Sequence, residues 1–371
     1  MDETSAEFVT ALEAMIKASS LCQKIRKDFV GGESILKRDR SPVTIADYGS
    51  QAIVCKLIKE RFPSDTIVAE EDSKELRKPD HLKILEKVTS YINTFIPGTS
   101  SEEVCSWIDT FDGAKPRFLN RGKKRRSVST LSLRPELRPR GKPRASDRGV
   151  EWVDFSSHCL ADRFWALDPI DGTKGFLRGG QYAIALALIE NGLVKLGILA
   201  CPNLYVDMYQ PTDKKGCIFF ALRGKGSIQM DIEDRTRQVL YVSRIKNFSE
   251  ATLIESFEPD HSDHLFHQKF ARKLNILKPS VRMDSQAKYG IVARGEVAIY
   301  LRIPSSSEPG YKENIWDHAA GSIIAEEAGG RVTDALGHPL NFLCGIKMEK
   351  NYGIVVSNGI LHDNVLKALE M

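Results

Sequence analysis

The sequence predicts a layered protein of helices and sheets in two parts, an N-terminal α+β domain over residues 1–237 and a smaller C-terminal α/β domain over 238–371. Three observations predict it. Asn191-Gly192 separates two apolar runs, Tyr182–Glu190 and Leu193–Cys201, which is a strong short-range signal for an antiparallel hairpin. Earlier in the chain, apolar residues recur at three- and four-residue steps, the spacing that gives a helix one buried face. Beyond residue 238, strand-like and helix-like stretches alternate, as in a layered α/β domain.

The 371 residues, 42% hydrophobic and 27% charged, suffice for two cores. No apolar run approaches the length of a bilayer span, the longest being Ala183–Ile189. The acidic start Met1-Asp2-Glu3-Thr4 is unlike a signal peptide, so a reducing compartment, the cytoplasm, is expected. Seven cysteines, odd in number and without a Cys-x-x-Cys spacing, encode neither a disulfide framework nor a zinc site and are expected to be core thiols.

Taken in order, Phe8, Leu12, Met15, Ile16, Cys22, Ile25 and Phe29 outline a long helix stopped by Gly31-Gly32. Ser41–Asp47 reads as extended, and Asp47 precedes a second helical pattern, where it fits an N-cap. Thr66–Ala69 is a short strand running into Glu70-Glu71-Asp72, either a solvated turn or half of a cation site. Residues 80–96 form another amphipathic helix, after which the pattern weakens.

Between Lys115 and Arg148 lie thirteen Lys or Arg against Glu136 and Asp147, so the remainder of a chain of net charge +4 carries −7. Residues 112–150 are therefore expected to be a basic, disordered insert, because this composition cannot bury a core. Arg121-Gly122-Lys123-Lys124-Arg125-Arg126 looks like a nuclear-localisation patch, which adds the nucleus as a second location. Such a block can also bind nucleic acid, but a solvated segment is the expected state and nucleic acid is not the expected partner.

Order returns at Phe164-Trp165-Ala166-Leu167, a strand leading to Asp168-Pro169-Ile170-Asp171-Gly172-Thr173. Two acids around a Pro, followed by a Gly and a hydroxyl, fit both an ordinary β-turn and a turn that binds a metal. After the hairpin come strands at Tyr205–Tyr209 and Cys217–Arg223. A strand at Val239–Ser243, a helix over 263–274, a strand near Ile291–Ala293 and another at Val297–Leu301 follow. Ile315-Trp316-Asp317 opens a helix stopped at Gly329-Gly330, again with an Asp where an N-cap belongs. The strand Gly353–Ser357 and the helix Leu361–Leu369 complete the chain.

Asp47, Glu70, Asp168, Asp171 and Asp317 thus each end a strand or open a helix. Gathered at one place, such carboxylates would repel one another unless divalent cations neutralised them, and oxygen-only ligands favour a hard ion such as Mg²⁺. Two such ions would suit attack of water on a phosphoryl group.

At these residues the sequence resembles the inositol monophosphatase superfamily of Mg²⁺-dependent, lithium-sensitive phosphatases. The resemblance rests on Asp47, Ala69-Glu70-Glu71, Asp168 to Thr173, and Trp316-Asp317-His318-Ala319-Ala320-Gly321. Thr173 to Gly179 and Asp284 to Tyr289 are similar to its 3'(2'),5'-bisphosphate nucleotidase branch. The resemblance implies an αβαβα layered sandwich with two or three Mg²⁺ held by Glu70, Asp168, the Ile170 carbonyl, Asp171 and Asp317. Asp47 and Thr173 would position and deprotonate the attacking water. The implied substrate is adenosine 3',5'-bisphosphate, losing its 3'-phosphate, with the 5'-phosphosulfate analogue as a further candidate and a link to sulfate assimilation. Gly172, Thr173, His261, Ser285, Lys288, Arg302 and Asp317 would contact it, the C-terminal domain completing the nucleotide site. A phosphatase for inositol phosphates shares this metal site and is the alternative. A monomer without membrane partners is expected. His261, His264 and His267 also share a three-residue spacing, for which exposed helix histidines are expected over a metal face.

Overall fold

In a computed structural model the described residues are 1–28, 34–36, 42–109, 161–207, 214–258, 264–304 and 310–370. The basic insert and His261 lie outside them.

The chain begins with helix α1 (Ala6–Asp28), the short antiparallel pair β1 (Ser34–Leu36) and β2 (Pro42–Thr44), and helix α2 (Ile45–Arg61). Strand β3 (Thr66–Ala69) follows, then helices α3 (Leu82–Asn93) and α4 (Ser101–Ile108). The sequence pattern gave no sign of α4. Its start is fixed by a reciprocal cap in which Ser100 accepts from the Glu103 amide while Glu103 accepts from the Ser100 amide.

Next come β4 (Arg163–Asp171), the single turn α5 (Thr173–Leu177) and the hairpin of β5 (Ala183–Glu190) and β6 (Leu193–Tyr205). Asn191 and Gly192 both have positive φ, 51° and 77°, as a two-residue hairpin of this kind requires. Strands β7 (Lys215–Leu222), β8 (Ser227–Asp231) and β9 (Arg237–Leu240) finish a seven-stranded sheet in the sequential order β3 to β9. Only β3 and β4 are parallel in it; every other pair is antiparallel. The stretch read as a strand at 239–243 is thus represented by β9, paired with β8.

A second sheet of five strands, in the order β11-β10-β12-β14-β13, mixes parallel and antiparallel pairs. It comprises β10 (Leu253–Ser256), β11 (Val281–Met283), β12 (Ile299–Arg302), β13 (Arg331–Thr333) and β14 (Ile354–Ser357), with helices α6 (His264–Lys273), α7 (Ala287–Ala293) and α8 (Ala319–Glu327) between them and α9 (His362–Leu369) after β14. Ile291–Ala293, expected as strand, is the end of α7. All seven residues of α7 are buried, so no polar face marks a helical period.

Side-chain alternation along the strands sorts the core into three layers. Trp165, Leu167, Leu186, Ile198 and Phe220 point from the seven-stranded sheet into a core shared with α1 and α2. Phe164, Ala166, Ala185, Leu199 and Phe219 point the other way, against α7, α8 and residues Ile254, Tyr300 and Val356 of the second sheet. Leu253, Ile299, Leu301 and Val355 face outward from that sheet onto Phe270 of α6 and Val365 of α9. The layer order is therefore αβαβα. Gly197 lets α8 approach β6: a Cβ there would lie 2.7 Å from the Ala320 carbonyl.

Five of the six described cysteines are buried and all six are free thiols, Cys344 being half-buried. Among the described residues, no helix is long and apolar enough to cross a membrane.

Candidate active site

The parallel pairing of β3 with β4 sets Ala69 opposite Leu167, so Glu70 leaves its strand beside Asp168. In a regular strand Asp168 and Asp171, three residues apart, would point to opposite faces. The pairing with β5 shifts register here: Asp168 faces Ala185 and Asp171 faces Ala183, one residue of β4 being extra. This bulge puts both acids on one side. The expected turn at the strand end is thus a continuing strand with a bulge. It ends at Gly172, whose φ of 85° opens α5.

Asp168 is buried, and its Oδ1 has no hydrogen-bond partner. Burial raises its pKa well above the usual carboxylate range, and the charges of Glu70, Asp171, Asp317 and Asp47 add to the rise. Three acids distant in sequence, and a fourth three residues along the same strand, therefore act on one carboxylate. Asp317 responds similarly: burial raises it, Arg302 opposes, and Glu313, Asp171 and Glu70 reinforce the rise.

Asp47 and Asp317 are not N-caps. Asp47 lies buried in the first turn of α2. Asp317 closes a short 3-10 turn, Ile315–Asp317, capped by Asn314, and its Oδ2 accepts from the Asn314 amide at 3.3 Å. Glu70 is exposed at the end of β3.

The N-terminal turn meets the C-terminal sheet directly. Asp171 Oδ2 accepts the Gln286 amide at 2.6 Å, and a Cβ on Gly172 would lie 3.2 Å from the Cβ of Ser285. Ser285, with φ 69°, accepts the Ala287 amide on its Oγ at 3.2 Å. Thr173 donates its hydroxyl to the Ile170 carbonyl at 3.1 Å. Lys288 is buried, with Nζ donating to the Ser285 and Met283 carbonyls at 2.8 and 3.1 Å. Burial lowers its pKa to about 8, although Asp171 opposes the shift. Arg302 ends β12 and pairs through Nε with Glu313 at 2.7 Å.

Arg178 reaches from beyond α5 to Glu258 and, at 2.7 Å, to Asp284, a second tie between the two sheets. His267 is not exposed as expected: it is buried with Nδ1 2.8 Å from Glu255, and His264 rests on the Ser256 carbonyl. Sequence reasoning gave no role to Gln286 and His318, which lie inside the stretches that carry the resemblance, and missed Glu313. The one available signal was Glu313, an acid four residues before Asp317.

The oxygen-rich, mutually repelling set, with an unpartnered buried carboxylate oxygen at its centre, fits a hard divalent cation. Layer order, bulge and carboxylate cluster together define a layered protein of helices and sheets with an acidic site suited to a metal ion. Residues 145–371 match the inositol monophosphatase family, and the chain belongs to that family. It is 40% identical to a protein named 3'(2'),5'-bisphosphate nucleotidase from Oryza sativa, over 99% of this chain and 94% of the relative. It is 42% identical to 3'(2'),5'-bisphosphate nucleotidase 1 of Arabidopsis thaliana, over 98% and 95%. An IMPase structure from Thermotoga maritima shares the fold at a TM-score of 0.58 and 19% identity, covering 99% of this chain and 97% of that one.

Proposed function

We propose that the chain hydrolyses the 3'-phosphate of adenosine 3',5'-bisphosphate, and of its 5'-phosphosulfate analogue, using two or three Mg²⁺. The observation that carries the proposal is the convergence of Glu70, Asp171, Asp317 and Asp47 on the buried Asp168. The names of the relatives supply the substrate class.

Glu70, Asp168, Asp171, Asp317 and the Ile170 carbonyl would hold the ions. What Mg²⁺ contributes when bound is positive charge against the phosphoryl oxygens and a lower pKa for water. Asp47 takes the proton of the attacking water, and the Thr173 hydroxyl, already anchored on this turn, orients that water. The new bond joins the water oxygen to phosphorus as the bond to the 3'-oxygen breaks in line; that oxygen takes a proton from solvent water and leaves as a hydroxyl, and Asp47 returns its proton to solvent. The products are AMP and phosphate. Amides at Gly172 and Thr173 cradle the departing phosphate, while Ser285, Lys288, Arg302 and His261 contact the rest of the nucleotide.

The proposal includes a monomer acting in the cytoplasm or nucleus in sulfate assimilation, its nucleotide site completed by residues 238–371. The test is phosphate release by the purified chain from adenosine 3',5'-bisphosphate and from inositol 1,4-bisphosphate, with and without Mg²⁺. Mg²⁺-dependent release from the nucleotide is expected. Release from the inositol ester alone would refute the nucleotide assignment.

A further inference from the structure

Beside the carboxylate set runs a chain of polar side chains from Arg302 through Glu313 and His318 to Tyr289. Arg302 Nε donates to Glu313 Oε1 at 2.7 Å, the two side chains being 15% and 6% exposed. The other Glu313 oxygen lies 3.3 Å from His318 Nε2, and His318 Nδ1 lies 2.9 Å from the Tyr289 hydroxyl. His318 and Tyr289 are buried. Tyr289 donates to Nδ1, leaving Nε2–H to donate to Glu313, so a neutral imidazole completes the chain. Glu313 lies close enough to Asp317 and His318 to be taken for a metal ligand. Both its oxygens are nevertheless committed, one to a guanidinium and one to an imidazole.

We infer that Glu313 is a positioning residue for substrate selectivity: it fixes the Arg302 guanidinium to receive the non-reacting phosphate of a bisphosphate. The inference rests on the reading of Arg302 as a nucleotide contact. A guanidinium grips a phosphate bidentately along one edge. With Nε held by Glu313, the edge for that grip is the Nη1–Nη2 pair, and its direction follows from the buried carboxylate together with the Tyr300 and Tyr311 hydroxyls that also meet the guanidinium. Removing the carboxylate takes away the nearest counter-charge, leaving Asp317 as the remaining acid beside Arg302, and releases the guanidinium at Nε.

The test compares kcat/KM on adenosine 3',5'-bisphosphate and adenosine 3'-monophosphate, which keeps the reacting ester and lacks the second phosphate. In Glu313→Gln the ratio of the two values falls by about 10-fold or more, through KM for the bisphosphate, a fold-change within the range for a broken buried charge pair. Glu313→Asp recovers part of the ratio. Equal losses on both substrates, or a loss confined to kcat, would overturn the inference and leave Glu313 as a support for Asp317. Should Glu313→Gln fail to fold, Arg302→Lys, which keeps charge without the fork, carries the same ratio test. A wild-type chain inactive on both nucleotides would refute the nucleotidase reading instead. Inositol 1,4-bisphosphate against inositol 1-phosphate then supplies the same comparison, because the inference concerns the second phosphate.

Discussion

Two groupings around a buried acid, one at Asp168 and one at Glu313, behave oppositely. Asp168 is raised by burial and by four neighbouring acids, with one oxygen unpartnered. Burial also acts to raise Glu313, but Arg302 and His318 outweigh it and hold this acid at about 2. Burial alone therefore does not decide what a carboxylate does; its partners do. The first group stores negative charge that a cation can relieve, whereas the second is already neutralised by protein and is suited to hold a side chain in place.

The largest expected effect is on the first group. Asp171→Asn lowers turnover by more than about 100-fold, exceeding the loss typical of groups that only support metal ligands. Steady-state phosphate release measures it, and a variant with normal turnover would remove Asp171 from the site.

Metal binding should separate the groups by pH. The raised pKa of Asp168 and Asp317 means that their ionisation costs stability as pH rises above the ordinary value of 3.8, and bound Mg²⁺ offsets that cost. Mg²⁺ at about a hundredfold excess over Kd adds about 3 kcal/mol, an effect that grows as pH rises above the ordinary carboxylate value because the ligands must be deprotonated. Thermal melts with and without Mg²⁺ report it.

Glu313 has the opposite sign. Its pKa is depressed from 4.5, so its contribution is complete above about 4.5 and is lost as pH falls towards about 2, a change on the order of 3 kcal/mol. The stability of Glu313→Gln should fall less steeply than that of the wild type across this acid range.

Two smaller effects bound the comparison. Gly175→Ala places a Cβ 2.2 Å from the Gln181 carbonyl and 2.8 Å from Asp284 Oδ2, which should cost about 1–3 kcal/mol and disturb α5. Ser100→Ala, at the cap of α4, should cost about 1 kcal/mol and leave turnover unchanged. A drop in turnover there would mean that the first helices couple to the site.

Much of this was legible in the chain. Local chemistry specified the Asn191-Gly192 hairpin, because few residue pairs adopt two successive positive φ values, and periodicity specified α1, α3 and α6. The five acids were visible as residues at the ends of elements. Helix α7 was not legible, because a segment buried on every side has no polar face to mark its period. Nor was Glu313, one acid among the 49 Asp and Glu of the chain, distinguished only by its partners.

By itself, then, the sequence determined the acid set, the hairpin, most of the helices and the basic composition of the insert. Tertiary structure alone decided that Asp168 and Asp171 share a face, since this depends on one extra residue in the pairing of β4 with β5. It likewise decided which acids repel and which are paired. Partners such as Arg302 and Glu313, eleven residues apart, are brought together by the path of the chain beyond β12, and the field at a buried carboxylate is set by distances that no local pattern encodes.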